Sequence, residues 1–165
     1  MFLLSERSLA ILLHKFFRIF RSSMHLITEH LAVGKAEDAI NPPWATAAIL
    51  NVASESRITP PPGRHYNWIP FTEFAPADPF QLDEAISWLE QCGKGSRLLI
   101  CCRAGVGRSV SVAIAYLCLV DNLPYRNAVT LVAAQRPGAS PIPNLESTIR
   151  FVRDLRQKRV QGLNA

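Results

Sequence analysis

One stretch of the chain, residues 98–109, constrains the fold more than any other. It reads LLICCRAGVGRS, an apolar run that ends in two cysteines and is followed by a short loop with two glycines. Leu98–Cys102 is predicted to be a buried strand, and Ser109–Val120, which lacks glycine and proline, is long enough for a buried helix. Cys102 therefore stands where a strand passes into a helix N-terminus, whose free N–H groups and positive dipole favour anions and thiolates.

The residues between the strand and the helix suit the binding of an oxyanion. Gly105 and Gly107 allow the loop to curl so that successive N–H groups converge on one point. Arg108 adds a permanently charged, planar fork that can bind two phosphate oxygens at once. Together with a thiolate at Cys102, this loop predicts nucleophilic attack on a phosphoryl group. The alternative interpretation is an inert buried cysteine beside a surface arginine.

Composition places the chain among ordinary globular proteins. Its 165 residues are enough for one domain with a sizeable core, and hydrophobic and charged residues make up 48% and 19% of it. A net charge of +5 suits an anionic substrate or surface without establishing either. The four cysteines form no C-x-x-C pair, and the histidines show no ligand spacing, so the sequence does not predict a metal site. Free thiols are most consistent with a reducing compartment.

Residues 1–23 differ in character from the rest of the chain. Apolar residues cover one broad face of a predicted helix, and basic residues recur at helical spacing on the other face. The charges argue against a membrane-spanning helix, and no small-residue cleavage site follows. We consider a basic helix lying on an anionic membrane or a transit-type peptide. The other interpretations are a helix that packs on the domain, or residues upstream of a true start at Met24.

The remaining sequence predicts one α/β domain over residues 24–160, followed by a short tail over residues 161–165. Strands alternate with helical segments, which predicts a sheet with helices on both faces. The predicted strands, besides Leu98–Cys102, are Ile27–Gly34, Ala47–Ala53 and His65–Phe71. The predicted helices, besides Ser109–Val120, are Lys35–Ile40, one that begins after Asp78, Tyr125–Gln135, and one that begins after Asn144.

Two of these helices carry a predicted pattern of burial. In the helix after Asp78, the side chains expected to face the core are Phe80, Ala85, Ile86 and Leu89. In the last helix, the expected buried stripe is Leu145, Ile149, Val152 and Leu155. The other side of the last helix is basic: Arg150, Arg153, Arg156, Lys158 and Arg159. We interpret this side as a solvated face, with attraction of acidic substrates or lipid headgroups as the alternative.

The eight residues Cys-Arg-Ala-Gly-Val-Gly-Arg-Ser, 102–109, resemble the Cys-x5-Arg-Ser/Thr signature of the cysteine-based protein tyrosine phosphatases. Further segments resemble landmarks of the small dual-specificity phosphatases: Ile49–Ala53, Tyr66–Pro70, Arg136-Pro137 and Pro143-Asn144. The resemblance covers roughly Ile27–Leu155. It implies the family's fold, a central mostly parallel sheet of four to five strands flanked by helices, and its two-step chemistry through a phosphocysteine.

The resemblance also assigns roles within the loop. Cys102 is the expected nucleophile and Arg108 the expected transition-state clamp. The expected phosphate-binding residues are Arg103, Ala104, Gly105, Val106, Gly107 and Arg108. Ser109 is expected to donate to the departing thiolate in the second step, although a plain helix-start residue is an equal alternative. No metal or cofactor is expected, because the arginine and the amides supply the charge stabilisation.

The general acid is expected on a separate loop, and two carboxylates compete for the role. The family places an aspartate shortly after the strand that Tyr66–Pro70 resembles, and here that position is Glu73. Asp78 is the alternative acid. However, Asp78-Pro79-Phe80-Gln81 is typical of a helix N-cap, where backbone hydrogen bonds lower a carboxyl pKa. We therefore favour Glu73. Its side chain is one methylene longer than the family's aspartate, which can misplace the proton donor.

A second departure from the family lies directly before the nucleophile. The family usually has histidine there, where it shapes the loop and keeps the thiol ionised, whereas this chain has Cys101. Cys102 then depends more on the helix N-terminus, the loop amides and Arg108. We expect a slower enzyme, not an inactive one.

Three functions follow from these residues. The first is a cytoplasmic, monomeric phosphatase that hydrolyses phosphotyrosine and phosphoserine/threonine in proteins, with no DNA partner and with a possible anionic membrane contact through residues 1–23. The second is a phosphatase for phosphoinositides, other lipids or RNA, suggested by Arg103 and the basic N-terminal segment. The third is a weakly active, phosphate-binding protein, suggested by Cys101 and Glu73.

Overall fold

The fold is described by a computed structural model over residues 24–42, 45–93 and 95–162. The basic amphipathic segment predicted over residues 1–23 lies outside these residues, so its helix and its membrane contact stay predictions. Within the three ranges, no helix is long and apolar enough to cross a membrane.

A five-stranded sheet forms the centre of the domain, in the spatial order β1-β2-β5-β3-β4. The strands are β1 (His25–Leu26), β2 (Leu31–Lys35), β3 (Ala48–Ala53), β4 (His65–Phe71) and β5 (Leu98–Cys102). The helices are α1 (Ala36–Ile40), α2 (Pro79–Gln91), α3 (Arg108–Leu119), α4 (Tyr125–Gln135) and α5 (Leu145–Gly162). All pairings are parallel except that of β1 with β2. The predicted mostly parallel α/β fold is therefore confirmed.

The first predicted strand, Ile27–Gly34, is wrong at its N-terminal end. Residues 27–30 form a turn that joins β1 to β2 in an antiparallel hairpin. The Thr28 hydroxyl accepts the Leu31 N–H at 3.1 Å, and the Ile27 N–H donates to the Leu31 carbonyl at 2.8 Å. A threonine that binds its own backbone in this way favours a turn over a continuing strand.

The two faces of the sheet are covered unequally. The helices α2 to α5 pack on one face, where they bury Leu50, Ile100 and Val112 among others. The opposite face is covered by the short helix α1, whose Ala39 joins Ile49 and Leu99 in a smaller cluster. The strands β3 and β5 are buried at every position, as expected for central strands with both faces covered.

The predicted burial of the helices holds with three corrections. Leu155, expected in the buried stripe of the last helix, is only half-buried, because the last turns of α5 beyond it are exposed. Phe80 is 58% exposed and packs edge-on against Phe151 of α5, so it lies on the surface instead of in the core. The basic side of α5 is not simply a solvated face. Arg156 and Arg159 both bind the buried carboxylate of Asp83 on α2, because this acid is only 4% exposed and requires cationic partners. The helix α5 also continues through Gly162, into the segment 161–165 that we predicted as a tail.

This fold brings the carboxyl ends of β2, β3, β4 and β5 to one edge of the sheet, because these strands run parallel. In open α/β sheets such an edge is where ligands bind.

Replacing Asp83 with alanine is predicted to destabilise the domain by about 2–3 kcal/mol, because Arg156 and Arg159 lose their buried partner. Chemical denaturation measures this change. The matched control is Glu146→Ala, which removes an exposed carboxylate 3.8 Å from Arg150 and is expected to change stability by at most about 1 kcal/mol. Equal losses in the two variants would contradict the assignment of α5 docking to Asp83.

Candidate active site

The loop after β5 is held in shape by hydrogen bonds that its carbonyl groups accept. Arg136 donates from Nε to the Gly105 carbonyl at 2.8 Å and from Nη2 to the Ala104 carbonyl at 3.1 Å. The Val106 carbonyl accepts the Ser140 N–H at 2.8 Å, and the Gly107 carbonyl accepts the Ser111 N–H and hydroxyl, each at 2.9 Å. Four successive carbonyls are thus bound to the surrounding structure.

Fixing the carbonyls also orients the amides. In a trans peptide, the C=O of one residue and the N–H of the next point in opposite directions, and no peptide bond described here is cis. The N–H groups of residues 105–108 therefore point away from the bound carbonyls. One of them, the Gly105 N–H, donates to Cys102 Sγ at 3.3 Å. The Gly105 amide is thus directed at the thiol, as in the amide concavities that bind anions.

The Cys102 thiol lies at the centre of this arrangement. It is 1% exposed, and its Sγ lies 3.3 Å from the Ser109 hydroxyl at the start of α3. Cys102, Ser109 and the Gly105 amide, all named as site residues from the sequence, are thus brought together. The Arg103 side chain, also named as a site residue, is exposed.

Gly105 is required by the close approach of two backbones. It adopts a positive φ of 70°, and a Cβ at this position would lie 2.8 Å from the carbonyl carbon and oxygen of Gly34 at the end of β2. The same Cβ would lie 3.2 Å from Arg136 Nη2. A side chain here would therefore displace the loop from the strand that supports it.

Arg108, the first residue of α3, is fully buried and is bound by two acids. Its Nη1 and Nη2 donate to the two carboxylate oxygens of Glu55 at 2.6 and 2.7 Å. Nη2 also donates to Glu73 Oε2 at 3.1 Å, and Nη1 to the Phe71 carbonyl at 3.3 Å. These contacts tie the start of α3 to the ends of β3 and β4. The Arg108 Nε has no hydrogen-bond partner among the described residues.

The segment that carries Glu55 is itself fixed. Asn51, fully buried in β3, accepts the Ala53 N–H and donates to the Ser56 carbonyl at 2.8 Å. The indole of Trp68 donates to the Ala53 carbonyl at 2.7 Å. The hydrogen bond from Arg108 lowers the pKa of Glu55 from 4.5 to about 2, so this carboxylate is charged at every physiological pH.

The two acids that competed in the sequence lie in different settings. Glu73, half-buried, contacts Arg108, whereas Asp78 caps α2 by accepting the Gln81 N–H at 2.9 Å. The predicted capping role of Asp78 is confirmed. Between them, Phe74 is 86% exposed and has a φ of 61°, which is strained for an aromatic residue. The geometry brings Glu73, and not Asp78, to the arginine.

Cys101 faces the other side of the sheet. It joins the smaller cluster with Ala39 and Leu99, and burial raises the pKa of its thiol. It therefore does not contribute a charge to the loop. Within residues 24–42, 45–93 and 95–162, no group of three or more His, Cys, Asp or Glu residues could hold a metal ion.

Sequence reasoning missed Glu55 and the loop-binding role of Arg136. The signal for Glu55 was its position two residues after a predicted parallel strand, at the edge where the loop after β5 must also lie. Arg136 was noticed only as part of a family landmark, and no local pattern connects it to carbonyls about thirty residues away.

Replacing Gly105 with alanine is predicted to destabilise the domain by about 2 kcal/mol more than Gly138→Ala and to abolish inorganic sulfate binding. Gly138 is the matched control, because its φ of 79° imposes the same backbone strain while nothing lies within 4 Å of its Cβ position. Thermal unfolding and calorimetric sulfate titration test this. Equal losses of stability in the two variants would show that the approach to Gly34 is unimportant.

The Glu55 ion pair predicts a pH-dependent stability. A folded-state pKa of about 2 lies below the ordinary 4.5, so Glu55 stabilises the domain above about pH 4.5 and this contribution disappears as the pH falls towards 2. Because its side chain is 36% exposed, solvent screening reduces the contribution to about 1 kcal/mol. The stability difference between wild type and Glu55→Gln, from urea unfolding, is expected to shrink across this range. An unchanged difference would refute the ion pair, and Glu84→Gln, which alters an exposed carboxylate, serves as control.

Comparison with known proteins agrees with this architecture. The family model described as "Dual specificity phosphatase, catalytic domain" matches residues 35–160. Human dual specificity protein phosphatase 5 is 30% identical over 96 residues, which are 57% of this chain and 25% of that protein. The chain thus spans about a quarter of the length of this curated relative.

Two solved structures show the same fold. Human DUSP28 has a TM-score of 0.71 at 23% identity, covering 82% of this chain and 99% of that one. PTPMT1 in complex with PI(5)P has a TM-score of 0.66 at 16% identity, covering 83% and 98%. The family model covers three quarters of the chain and includes Glu55, Glu73 and the loop of residues 102–109. The chain belongs to the dual-specificity phosphatase catalytic-domain family.

Proposed function

We propose that this chain hydrolyses phosphomonoesters, namely phosphotyrosine and phosphoserine/threonine in proteins, through a phosphocysteine at Cys102. One observation carries the proposal: Cys102 Sγ accepts a hydrogen bond from the Gly105 amide and lies beside the Ser109 hydroxyl. The same sheet edge holds the buried Arg108, whose Nε has no partner among the described residues. Family membership supports the same conclusion.

In the first step, the Cys102 thiolate attacks phosphorus in line with the leaving oxygen. An S–P bond forms as the P–O bond to the leaving group breaks. The loop amides and Arg108 bind the non-bridging oxygens, whose charge they stabilise in a site shielded from water. Glu73, in its protonated form, gives its proton to the leaving alkoxide or phenoxide.

In the second step, water attacks the phosphocysteine. The Glu73 carboxylate accepts a proton from the water, and the S–P bond breaks with its electron pair returning to sulfur. The Ser109 hydroxyl, 3.3 Å from Sγ, donates to the departing thiolate. Inorganic phosphate leaves, and the cysteine and the acid return to their starting forms.

A lipid or phosphoinositide substrate is the second candidate. It is supported by the exposed Arg103 in the loop and by the fold shared with PTPMT1, whose structure was solved with PI(5)P. Turnover of a panel of phosphopeptides, phosphoinositides and RNA phosphates distinguishes the two candidates. Turnover of none of them above the background of a Cys102→Ser variant would instead favour a phosphate-binding protein.

Replacing Cys102 with serine is predicted to abolish hydrolysis of p-nitrophenyl phosphate while leaving the unfolding temperature nearly unchanged, because serine is a poor nucleophile of similar size. Cys101→Ser is the matched control, since it alters the neighbouring thiol on the other face of the sheet. Full activity in Cys102→Ser would end the proposal.

Replacing Glu73 with glutamine is predicted to lower kcat about 100-fold on a phosphothreonine peptide, whose alkoxide needs a proton, and far less on p-nitrophenyl phosphate. Asp78→Asn is expected to leave both rates unchanged and to change stability little, because the asparagine side-chain oxygen can still accept the Gln81 N–H and cap the helix. The reverse pattern between these two variants would make Asp78 the acid.

A further inference from the structure

The donors of Arg108 are not all used in the same way. A guanidinium has five N–H bonds, two on each Nη and one on Nε. Nη1 and Nη2 each donate one hydrogen to Glu55, and the other hydrogen of Nη1 lies near two acceptors, the Phe71 carbonyl and the Ser54 hydroxyl, each at 3.3 Å. Two hydrogens are not bound by Glu55, Ser54 or Phe71, namely that of Nε and the second one of Nη2, and these lie side by side along one edge of the guanidinium. Arg108 is fully buried and its Nε has no partner within residues 24–42, 45–93 and 95–162, so this edge is suited to two oxygens of an anion.

Glu73 already occupies half of that edge. Its Oε2 lies 3.1 Å from Arg108 Nη2, the atom whose other hydrogen is bound by Glu55. The contact depends on the length of the side chain, because an aspartate would be shorter by one C–C bond of about 1.5 Å. The Glu73 side chain is also 31% exposed, so it has a path into solvent.

We propose that Glu73 acts as a built-in competitor for the oxyanion at Arg108. An incoming phosphoryl group takes the Nε and Nη2 edge only when the Glu73 carboxylate leaves it. The inference rests on the proposed function of this site and adds to it. The group displaced by the substrate is the one proposed to protonate the leaving oxygen, so arrival of the substrate frees the acid from its ion pair.

The charge and the length of the Glu73 side chain together determine the expected order of anion affinities among its variants. Glu73 and Glu55 both contact Arg108. A doubly charged anion at the Nε and Nη2 edge is therefore repelled by the Glu73 carboxylate and also competes with it for the Nη2 hydrogen. Glu73→Gln removes the charge. Glu73→Asp retains the charge and shortens the side chain, so it separates the contact from simple repulsion.

Calorimetric titration of the full-length chain with inorganic sulfate tests the proposal, because sulfate carries two negative charges and does not titrate near neutral pH. At one pH and ionic strength, we expect Glu73→Gln to bind sulfate about tenfold tighter than wild type and Glu73→Asp about threefold tighter. Glu84→Gln, an exposed acid on α2, makes the same change in net charge and is expected to bind as wild type does. Thermal unfolding of each variant checks that the fold is retained.

Wild-type affinity in both Glu73 variants would overturn the proposal, as would tightening in Glu73→Gln with none in Glu73→Asp. Absence of sulfate binding in every variant would overturn both the proposal and the oxyanion site. Failure of the proposed function alone has a different signature. Cys102→Ser would then still hydrolyse p-nitrophenyl phosphate while the sulfate order stays as expected.

Discussion

The ion pair between Arg108 and Glu55 is the contact on which the candidate site depends. A fully buried guanidinium is tolerated only with a charged, hydrogen-bonded partner, and Glu55 supplies one oxygen to each Nη. The pair fixes the fork so that Nη1 and the inner hydrogen of Nη2 face away from the remaining edge. The Arg108 Nε has no hydrogen-bond partner in the described part of the chain, which is rare for a buried donor, and in the proposed function this donor binds the anion.

The loop that carries Cys102 is also fixed by hydrogen bonds, in this case to its backbone carbonyls. Arg136, Ser140 and Ser111 bind its carbonyls, and the Gly105 amide is left to donate to Cys102 Sγ. Gly105 can lie against the backbone of Gly34 because it has no Cβ. The absence of histidine before Cys102 is therefore compatible with a formed loop. Cys101 fills the apolar space on the other face of the sheet instead.

The sequence predicted the parts of the structure that follow from local patterns. The continuous apolar runs gave β3 and β5, the glycine-bearing loop gave the passage into α3, and the N-cap pattern gave the role of Asp78. It failed where distant residues decide the outcome. Phe80 packs against Phe151 of another helix. The turn over residues 27–30 is a separate, local miss, because the Thr28 hydroxyl that competes with the strand accepts a backbone N–H only three residues away. Glu55 and Arg136 act through contacts across the sheet edge that no local spacing records.

In the proposed reaction the phosphoryl group is transferred to Cys102 Sγ. Trapping the phosphocysteine intermediate tests this transfer most directly. The chain would be mixed with p-nitrophenyl phosphate, quenched in acid within the first turnover, and digested for mass spectrometry. We predict a phosphoryl group on the peptide that carries residues 101 and 102, retained in a Cys101→Ala variant and lost in Cys102→Ala. Turnover without this adduct, or an adduct that survives in Cys102→Ala, would contradict the account.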